Sequence, residues 1–218
     1  MTIRALMLAG ALLAPLMTAQ RAHALDVQIP ATTTVTYIGM VGGNAWAAFM
    51  RPAGCLWKKL GDGGLVETTY IDGTSVSERI YAVMANTTIC NILMSPVVTN
   101  GELLAAYGAG GDDIIVGGTK ISWLTGGSGN DILVSDGDPD WQVRMWGGIG
   151  NDYLVSSRKA VDMQGEGDDD RLCASPPSGY LAYEANGAGG TDRICGPFLR
   201  KFSIEHDNTN CPADCALF

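Results

Sequence analysis

The chain has 218 residues, a formal net charge of −9 at pH 7, 29 glycines and 6 cysteines. The acidic balance argues against a nucleic-acid partner, because phosphate binding requires a basic surface. The cysteines fit an oxidising compartment and a disulfide framework.

Residues 1–24 have the pattern of a secretory signal peptide. Arg4 precedes the apolar run 5–17, and residues 22–24 read Ala-His-Ala, an A-x-A cleavage site. The apolar run is too short to span a membrane, and the mature chain offers no other candidate transmembrane segment. We therefore predict cleavage after Ala24 and a secreted, extracellular chain, with the periplasm as the alternative location.

Residues 25–107 predict short β-strands. Apolar runs rich in β-branched residues occupy 32–40, 65–73 and 79–90, and glycine-containing turn signals separate them. We expect a small β-rich capping region, because the end of a solenoid exposes strand edges that must be covered. Residues 99–107 could also form a degenerate first turn of the solenoid that follows.

Five nine-residue cassettes rich in glycine and aspartate come next. Each begins with glycine, has aspartate at position six and has an aliphatic residue at position eight. The cassettes are 108–116, 126–134, 147–155, 165–173 and 187–195. Their position-six residues are Asp113, Asp131, Asp152, Asp170 and Asp192, and their position-eight residues are Ile115, Leu133, Leu154, Leu172 and Ile194. Self-similarity of this kind is typical of a solenoid.

The cassettes resemble the RTX (haemolysin-type) calcium-binding nonapeptide G-G-x-G-x-D-x-U-x, where U is a large aliphatic residue. The resemblance covers about two-fifths of the chain. It implies an all-β fold, namely a short right-handed parallel β-roll whose glycine–aspartate turns bind Ca²⁺. We accordingly divide the chain into a signal peptide (1–24), an N-terminal capping region (25–107), an RTX-like roll (108–195) and a C-terminal cap (196–218).

The spacers between the cassettes are 9, 12, 9 and 13 residues long, so each contributes one degenerate nonapeptide. Because consecutive nonapeptides of a roll lie on opposite edges, all five aspartates fall on one edge, about 4.8 Å apart. Two carboxylates at that distance repel by about 3 kcal/mol at an effective dielectric of about 20. Ca²⁺ ions, which accept six to eight oxygen ligands, would relieve this repulsion, and five turns enclose gaps for up to four ions.

The predicted metal-binding residues are the five position-six aspartates, three neighbouring aspartates and the turn glycines, which permit positive φ and let carbonyl groups converge on an ion. The neighbouring aspartates are Asp112, Asp168 and Asp169. The glycines are Gly108, Gly110, Gly126, Gly127, Gly129, Gly147, Gly148, Gly150, Gly165, Gly167, Gly187 and Gly189.

The opposite edge carries a different column of charges. Lys120, Asp138 and Lys159 occupy equivalent positions in successive coils and predict an ion-pair ladder without metal. Asp136 and Asp140 lie beside it, either as a weak extra ion site or, as we prefer, as a solvated acidic loop.

The six cysteines suggest three pairs. Cys173 and Cys195 hold position nine of neighbouring same-edge cassettes, which brings their Cα atoms within disulfide reach. Cys55 with Cys90 is the natural pair in the N-terminal region, and Cys211 with Cys215 would then close a loop in the tail.

The outward positions seven and nine are apolar in the first three cassettes and polar later. A covered face explains this, since apolar patches of that size are rarely left bare. Residues 25–107 are the expected cover. The alternative is a binding face on which Trp123 and Trp146 stack against sugar rings or a protein partner.

Catalytic motifs are weak. Ser203, His206 and Asp207 could form a nucleophile–base set, but they lie in a short tail without a nucleophile elbow, and a polar capping segment is the preferred interpretation. The sequence thus favours a secreted calcium-binding β-roll with a structural or adhesive role, possible partners being a cell-surface glycan or protein. The alternatives are a small hydrolase or lyase with the roll as an appendage, and a carbohydrate-binding module that uses Trp123 and Trp146.

Overall fold

A computed structural model describes residues 25–62, 65–66, 69–97, 104–118, 121–136, 142–157 and 161–208. Every regular element in these ranges is a β-strand. The strands that precede the cassettes are β1 (Leu25–Gln28), β2 (Val35–Val41), β3 (Asn44–Arg51), β4 (Gly54–Asp62), β5 (Leu65–Val66), β6 (Thr69–Asp72), β7 (Arg79–Ala82), β8 (Thr87–Ile89) and β9 (Ile92–Met94).

Twelve further strands follow in the described chain, and along the cassettes they alternate between spacer and cassette. They are β10 (Leu104–Gly110), β11 (Ile114–Gly117), β12 (Ile121–Ser128), β13 (Ile132–Ser135), β14 (Val143–Ile149), β15 (Tyr153–Ser156), β16 (Val161–Gly167), β17 (Arg171–Ala174), β18 (Ala182–Ala188), β19 (Arg193–Cys195), β20 (Phe198–Phe202) and β21 (His206–Asn208).

The strands form two sheets in which alternate strands are neighbours. The spacer-side sheet has the order β1-β6-β10-β12-β14-β16-β18-β20, and its neighbouring strands are parallel. The cassette-side sheet runs β21-β19-β17-β15-β13-β11-β7 with parallel pairings and continues through β2-β3-β4-β5. This confirms an all-β parallel roll in which one cassette and one spacer make one coil.

Position eight forms the core between the two sheets. The five cassette residues at this position are fully buried, as are the five residues that face them from the spacer-side sheet. The facing residues are Ala106, which precedes the first cassette, and the spacer residues Leu124, Met145, Met163 and Ala185. Because the side chains of a strand alternate between its two faces, one aliphatic residue per short strand is enough to build this continuous column.

The N-terminal region continues both sheets of the roll. β6 pairs with β10 and β7 pairs with β11, so residues 69–82 form a further coil before the first cassette. β2, β3 and β4 then extend the cassette-side sheet, with antiparallel pairing of β2 to β3 and of β3 to β4. Edge pairing therefore protects this end of the roll.

A second hydrophobic cluster lies on the outer face of β2 and β3. The β8–β9 hairpin contributes Ile89 and Met94, which pack with Ala48 and the half-buried rings of Trp46 and Trp57. The predicted disulfide between Cys55 and Cys90 is present, with Cα atoms 6.3 Å apart, and it ties the hairpin to β4.

Cys173 and Cys195 are both disulfide-bonded, and they are register partners in β17 and β19, as the cassette alignment predicts. The expected pair Cys211 and Cys215 and the signal peptide 1–24 lie outside the described residues. The described residues contain no helix that is long and apolar enough to cross a membrane.

Candidate calcium-binding edge

The five glycine–aspartate turns stack along one edge of the roll. We call their position-six aspartates the carboxylate column. Each side chain is at most 2 % exposed. One oxygen, Oδ1, accepts a hydrogen bond from the backbone N–H of the position-six residue one coil earlier. The N···Oδ1 distances are 2.6 Å from Glu78 to Asp113, 2.7 Å from Asp113 to Asp131, 2.8 Å from Asp131 to Asp152, 2.9 Å from Asp152 to Asp170 and 2.9 Å from Asp170 to Asp192.

The second oxygen of each carboxylate, Oδ2, is buried without a hydrogen-bond partner. It sits against the position-one glycine of its own turn. A Cβ on that glycine would lie 2.0 to 2.2 Å from Oδ2 in all five cassettes, so no other residue fits there. Leaving a buried polar atom unpaired is costly, and more so for a charged one. The column thus presents one buried, unpartnered carboxylate oxygen per coil.

A second row of hydrogen bonds follows position five. Here each position-five side-chain oxygen accepts a hydrogen bond from the position-five N–H of the next coil. In the carboxylate column, by contrast, the N–H of the earlier coil donates to the carboxylate of the later coil. The donor–acceptor pairs are Asp112 to Ser77, Asn130 to Asp112, Asn151 to Asn130, Asp169 to Asn151 and Thr191 to Asp169, at 2.8 to 2.9 Å. Among the predicted metal-binding residues, Asp112 and Asp169 belong to this exposed row, and Asp168 is exposed at position four. Asparagine and threonine replace aspartate here, so the row does not depend on charge.

Positions two and four have positive φ in every cassette. The residues are Ala109, Gly127, Gly148, Glu166 and Ala188 at position two, and Gly111, Gly129, Gly150, Asp168 and Gly190 at position four. Carbonyl oxygens of these positions lie close to the same positions in the next coil; a Cβ on Gly148 would be 2.0 Å from the Gly127 oxygen. At position three, Gly110, Gly167 and Gly189 would meet neighbours only at 3.2 to 3.5 Å. The repeated backbone shape therefore depends on positions one, two and four.

Two glutamates flank the carboxylate column beyond the predicted cassettes. Residues 73–81 stack on the first cassette with Gly73 at position one and Ile80 at position eight, and Glu78 occupies position six. At the other end, Glu205 Oε2 accepts from the Asp192 N–H at 2.8 Å. The glycine and isoleucine of 73–81 are the sequence signal for this extra coil, although glutamate replaces the aspartate.

Burial raises the pKa of the column aspartates, and the charges of neighbouring acidic groups raise it further. The pKa is about 7 for Asp113, about 6 for Asp131, about 8 for Asp152 and about 7 for Asp170, and it is raised for Asp192 as well. The Oδ1 hydrogen bonds act in the opposite direction but do not cancel the effect of burial. Without a cation, neutralisation of the column therefore requires protons at near-neutral pH.

These residues fit Ca²⁺ by their donor chemistry. Within the described ranges, no group of three or more His, Cys, Asp or Glu side chains surrounds a common point. Each gap between coils instead adjoins two column carboxylates and closely spaced backbone carbonyls. Ca²⁺ accepts such mixtures of carboxylate and carbonyl oxygens, whereas zinc prefers nitrogen and sulfur ligands.

The opposite edge is described only in part. Lys120, Asp138, Asp140 and Lys159 lie outside the described residues, whereas Asp136 is exposed and accepts a hydrogen bond from Ser157 Oγ at 2.6 Å.

Trp123 and Trp146 pack edge to face with ring centroids 4.7 Å apart, and the Arg144 guanidinium lies 5.7 Å from the Trp123 centroid. Both rings are half-buried, so these contacts reduce the flat aromatic surface available for stacking against a sugar.

The tail residues do not form a preorganised nucleophile–base set. His206 and Asp207 are consecutive residues of β21, so their side chains point to opposite faces of the strand. The Asp207 carboxylate is engaged by Lys201 Nζ at 2.7 Å. β21 is thus a polar strand at the end of the cassette-side sheet.

Comparison with protein families gives an independent match to the cassettes. A family model described as the RTX calcium-binding nonapeptide repeat, in four copies, matches residues 107–141 and 145–175. No curated protein and no solved structure matches the chain. The matched residues contain the turns of Asp113, Asp131, Asp152 and Asp170.

Proposed function

Because this chain is a calcium-binding β-roll protein that carries RTX nonapeptide repeats, we propose that it is a secreted protein whose roll is ordered by extracellular Ca²⁺ and has a structural or adhesive role. The carboxylate column is the observation that carries this proposal. Five buried carboxylates, each with one unpartnered oxygen, lie one per coil along a single edge. Such a column needs cations wherever its carboxyl groups are ionised, and millimolar calcium outside the cell supplies them.

The ions are assigned to the gaps between the turns. Column aspartates on both sides and the carbonyls of positions two and four would hold each ion, and the four gaps between five aspartate turns accommodate up to four ions. Since binding free energy adds to folding free energy, we expect cooperative ordering of the roll as calcium rises. At cytosolic calcium the roll would remain largely unformed, which suits export before folding.

Calcium binding by the purified mature chain tests the assignment. Isothermal titration should show several ions bound to the wild-type protein, with fewer or weaker ions after Asp131→Ala or Asp152→Ala. Asp207→Ala serves as the matched control, because this aspartate pairs with Lys201 outside the column. Equal calcium binding by wild type and both column variants would contradict the assignment.

Secretion is tested separately. Expression with the native N-terminus should give an exported protein whose first residue is Leu25, as measured by intact mass. Retention of residues 1–24 in the exported protein, or failure of a fused reporter to leave the cytoplasm, would contradict the signal peptide.

A further inference from the structure

The coil before the first cassette presents a second kind of turn to the calcium-binding edge. Residues 73–78 contain the buried Glu78, which is 5 % exposed. Its Oε1 accepts hydrogen bonds from the backbone N–H of Thr74, at 3.0 Å, and from the Thr74 hydroxyl. Oε2 is buried and has no partner. Like the column aspartates, Glu78 has one bonded and one unpartnered carboxylate oxygen, but its bonded oxygen is held by Thr74 of its own turn instead of by a neighbouring coil.

The unpartnered oxygen faces the position-one glycine of its turn, although less closely than in the cassettes. A Cβ on Gly73 would lie 2.8 Å from Glu78 Oε2, compared with 2.0 to 2.2 Å from Oδ2 in the cassettes. The next carboxylate, Asp113, is 1 % exposed, and its Oδ2 is likewise unpartnered. The Glu78 backbone N–H donates to Asp113 Oδ1 at 2.6 Å, so the two residues lie on adjacent turns of the same edge. Two buried acidic groups with unpartnered oxygens thus adjoin the gap between residues 73–81 and the first cassette.

We propose that this gap, between Glu78 and Asp113, is an additional Ca²⁺ site that the nonapeptide pattern does not reveal. The proposal rests on the proposed function, because it assigns one more ion to the same edge. Calcium is favoured over a transition metal because the side-chain donors are oxygens. The turn differs from the cassettes in having no positive φ at Thr74 or Val76. We therefore expect the side chains of Glu78 and Asp113 to contribute more of the ligation here than in the cassette gaps.

The opposite end of the column provides a contrast. Glu205 accepts the position-six N–H of Asp192, but Glu205 is an exposed residue, unlike Glu78. Its turn is shortened to Ser203, Ile204 and Glu205 between β20 and β21, so the carbonyls of positions two to four are missing. We therefore assign no ion to the gap between Asp192 and Glu205. Substitution of Glu205 is thus a matched control for substitution of Glu78.

The test compares calcium stoichiometry in three full-length mature proteins by isothermal titration at pH 7.5. Wild type should bind one more ion than Glu78→Gln, whereas Glu205→Gln should match wild type. Glutamine keeps the Oε1 acceptor for Thr74 and removes the charge, and circular dichroism in saturating calcium checks that each variant is folded. Equal stoichiometry in wild type and Glu78→Gln, or the same loss in both variants, would overturn the proposal.

A second measurement does not depend on a variant. Crystals of the wild-type protein grown with CaCl₂ should give an anomalous difference peak between Glu78 and Asp113, in addition to peaks between the aspartate turns. Peaks only between the aspartate turns would overturn the additional site and leave the proposed function intact. Absence of every peak, together with no calcium uptake in solution, would overturn both.

Discussion

Aspartates at positions five and six differ in the exposure of the carboxylate oxygen that accepts no backbone hydrogen bond. Both side chains accept a backbone N–H of a neighbouring coil, yet Asp112 and Asp169 are exposed whereas Asp131 and Asp152 are buried. Water solvates the remaining oxygen at position five. At position six it cannot, so the negative charge requires a cation or a proton.

Asp152→Asn should therefore have opposite effects with and without calcium. In EDTA at pH 8, where the wild-type roll is largely unformed, the variant should keep more of the roll folded, because a buried charge is removed while Oδ1 still accepts the Asp131 N–H. In calcium it should bind more weakly, by about tenfold, equivalent to about 1.4 kcal/mol. Thermal melting and calcium titration measure the two effects.

Asp112→Asn is the control, because asparagine already occupies position five in the next two cassettes. Its melting temperature and calcium affinity should stay near those of wild type. A lower melting temperature of Asp152→Asn in EDTA would show that the column charge does not destabilise the metal-free roll.

Backbone conformation at position two gives a second prediction at this scale. Ala188 has φ of 70°, where a Cβ costs about 1 to 2 kcal/mol. Ala188→Gly should raise the free energy of unfolding by about 1 kcal/mol in saturating calcium, as measured by urea denaturation. Gly148→Ala should lower it, because the new Cβ would lie 2.0 Å from the Gly127 oxygen. Destabilisation by Ala188→Gly would contradict the assigned turn conformation.

At the scale of the turn and its flanking strands, the five cassettes act as one unit because the column connects them. The pKa values of the column aspartates, about 6 to 8, lie above the ordinary value of 3.8. A folded state with raised carboxyl pKa binds more protons than the unfolded chain. The stability that these groups contribute to the metal-free roll is fully present below about pH 4 and is lost as pH rises through about 8.

The metal-free protein should consequently melt at a higher temperature at pH 5 than at pH 8, and calcium should remove most of this difference. Calcium affinity should increase over the same range, because the ion competes with protons for the column. Melting curves in EDTA and in CaCl₂ at several pH values measure both trends. A melting temperature of the metal-free protein that rises between pH 5 and pH 8 would contradict the claim that ionisation of the buried column destabilises the roll.

The regular coils could be predicted from the sequence because each cassette carries its whole pattern within nine residues. Glycine, aspartate and the aliphatic residue at position eight specify the turn, the column and the core. The coil at 73–81 could not be predicted in this way, because Glu78 replaces the aspartate at position six. In addition, an insertion that contains the β8–β9 hairpin separates this coil from the first cassette. Gly73 and Gly108 are 35 residues apart, instead of 18 to 22 for consecutive cassettes.

At the scale of the whole molecule, the two ends of the roll differ in how they are stabilised. The N-terminal end has antiparallel pairing of β2, β3 and β4, a separate hydrophobic cluster and the Cys55–Cys90 disulfide. None of these contacts requires a metal. The cassettes bury one aliphatic residue per strand beside a charged column. Calcium dependence should therefore be concentrated in 108–195, with the N-terminal region as the template from which coils add.

Hydrogen–deuterium exchange with and without calcium tests this account most directly. In CaCl₂, peptides that cover 126–155 should exchange slowly, because the amides of Asp131 and Asp152 are bonded within the column. In EDTA at pH 8 these peptides should lose their protection, whereas a peptide that covers 35–51 should keep most of its own. Equal protection of 126–155 in CaCl₂ and in EDTA would contradict a roll that calcium holds together.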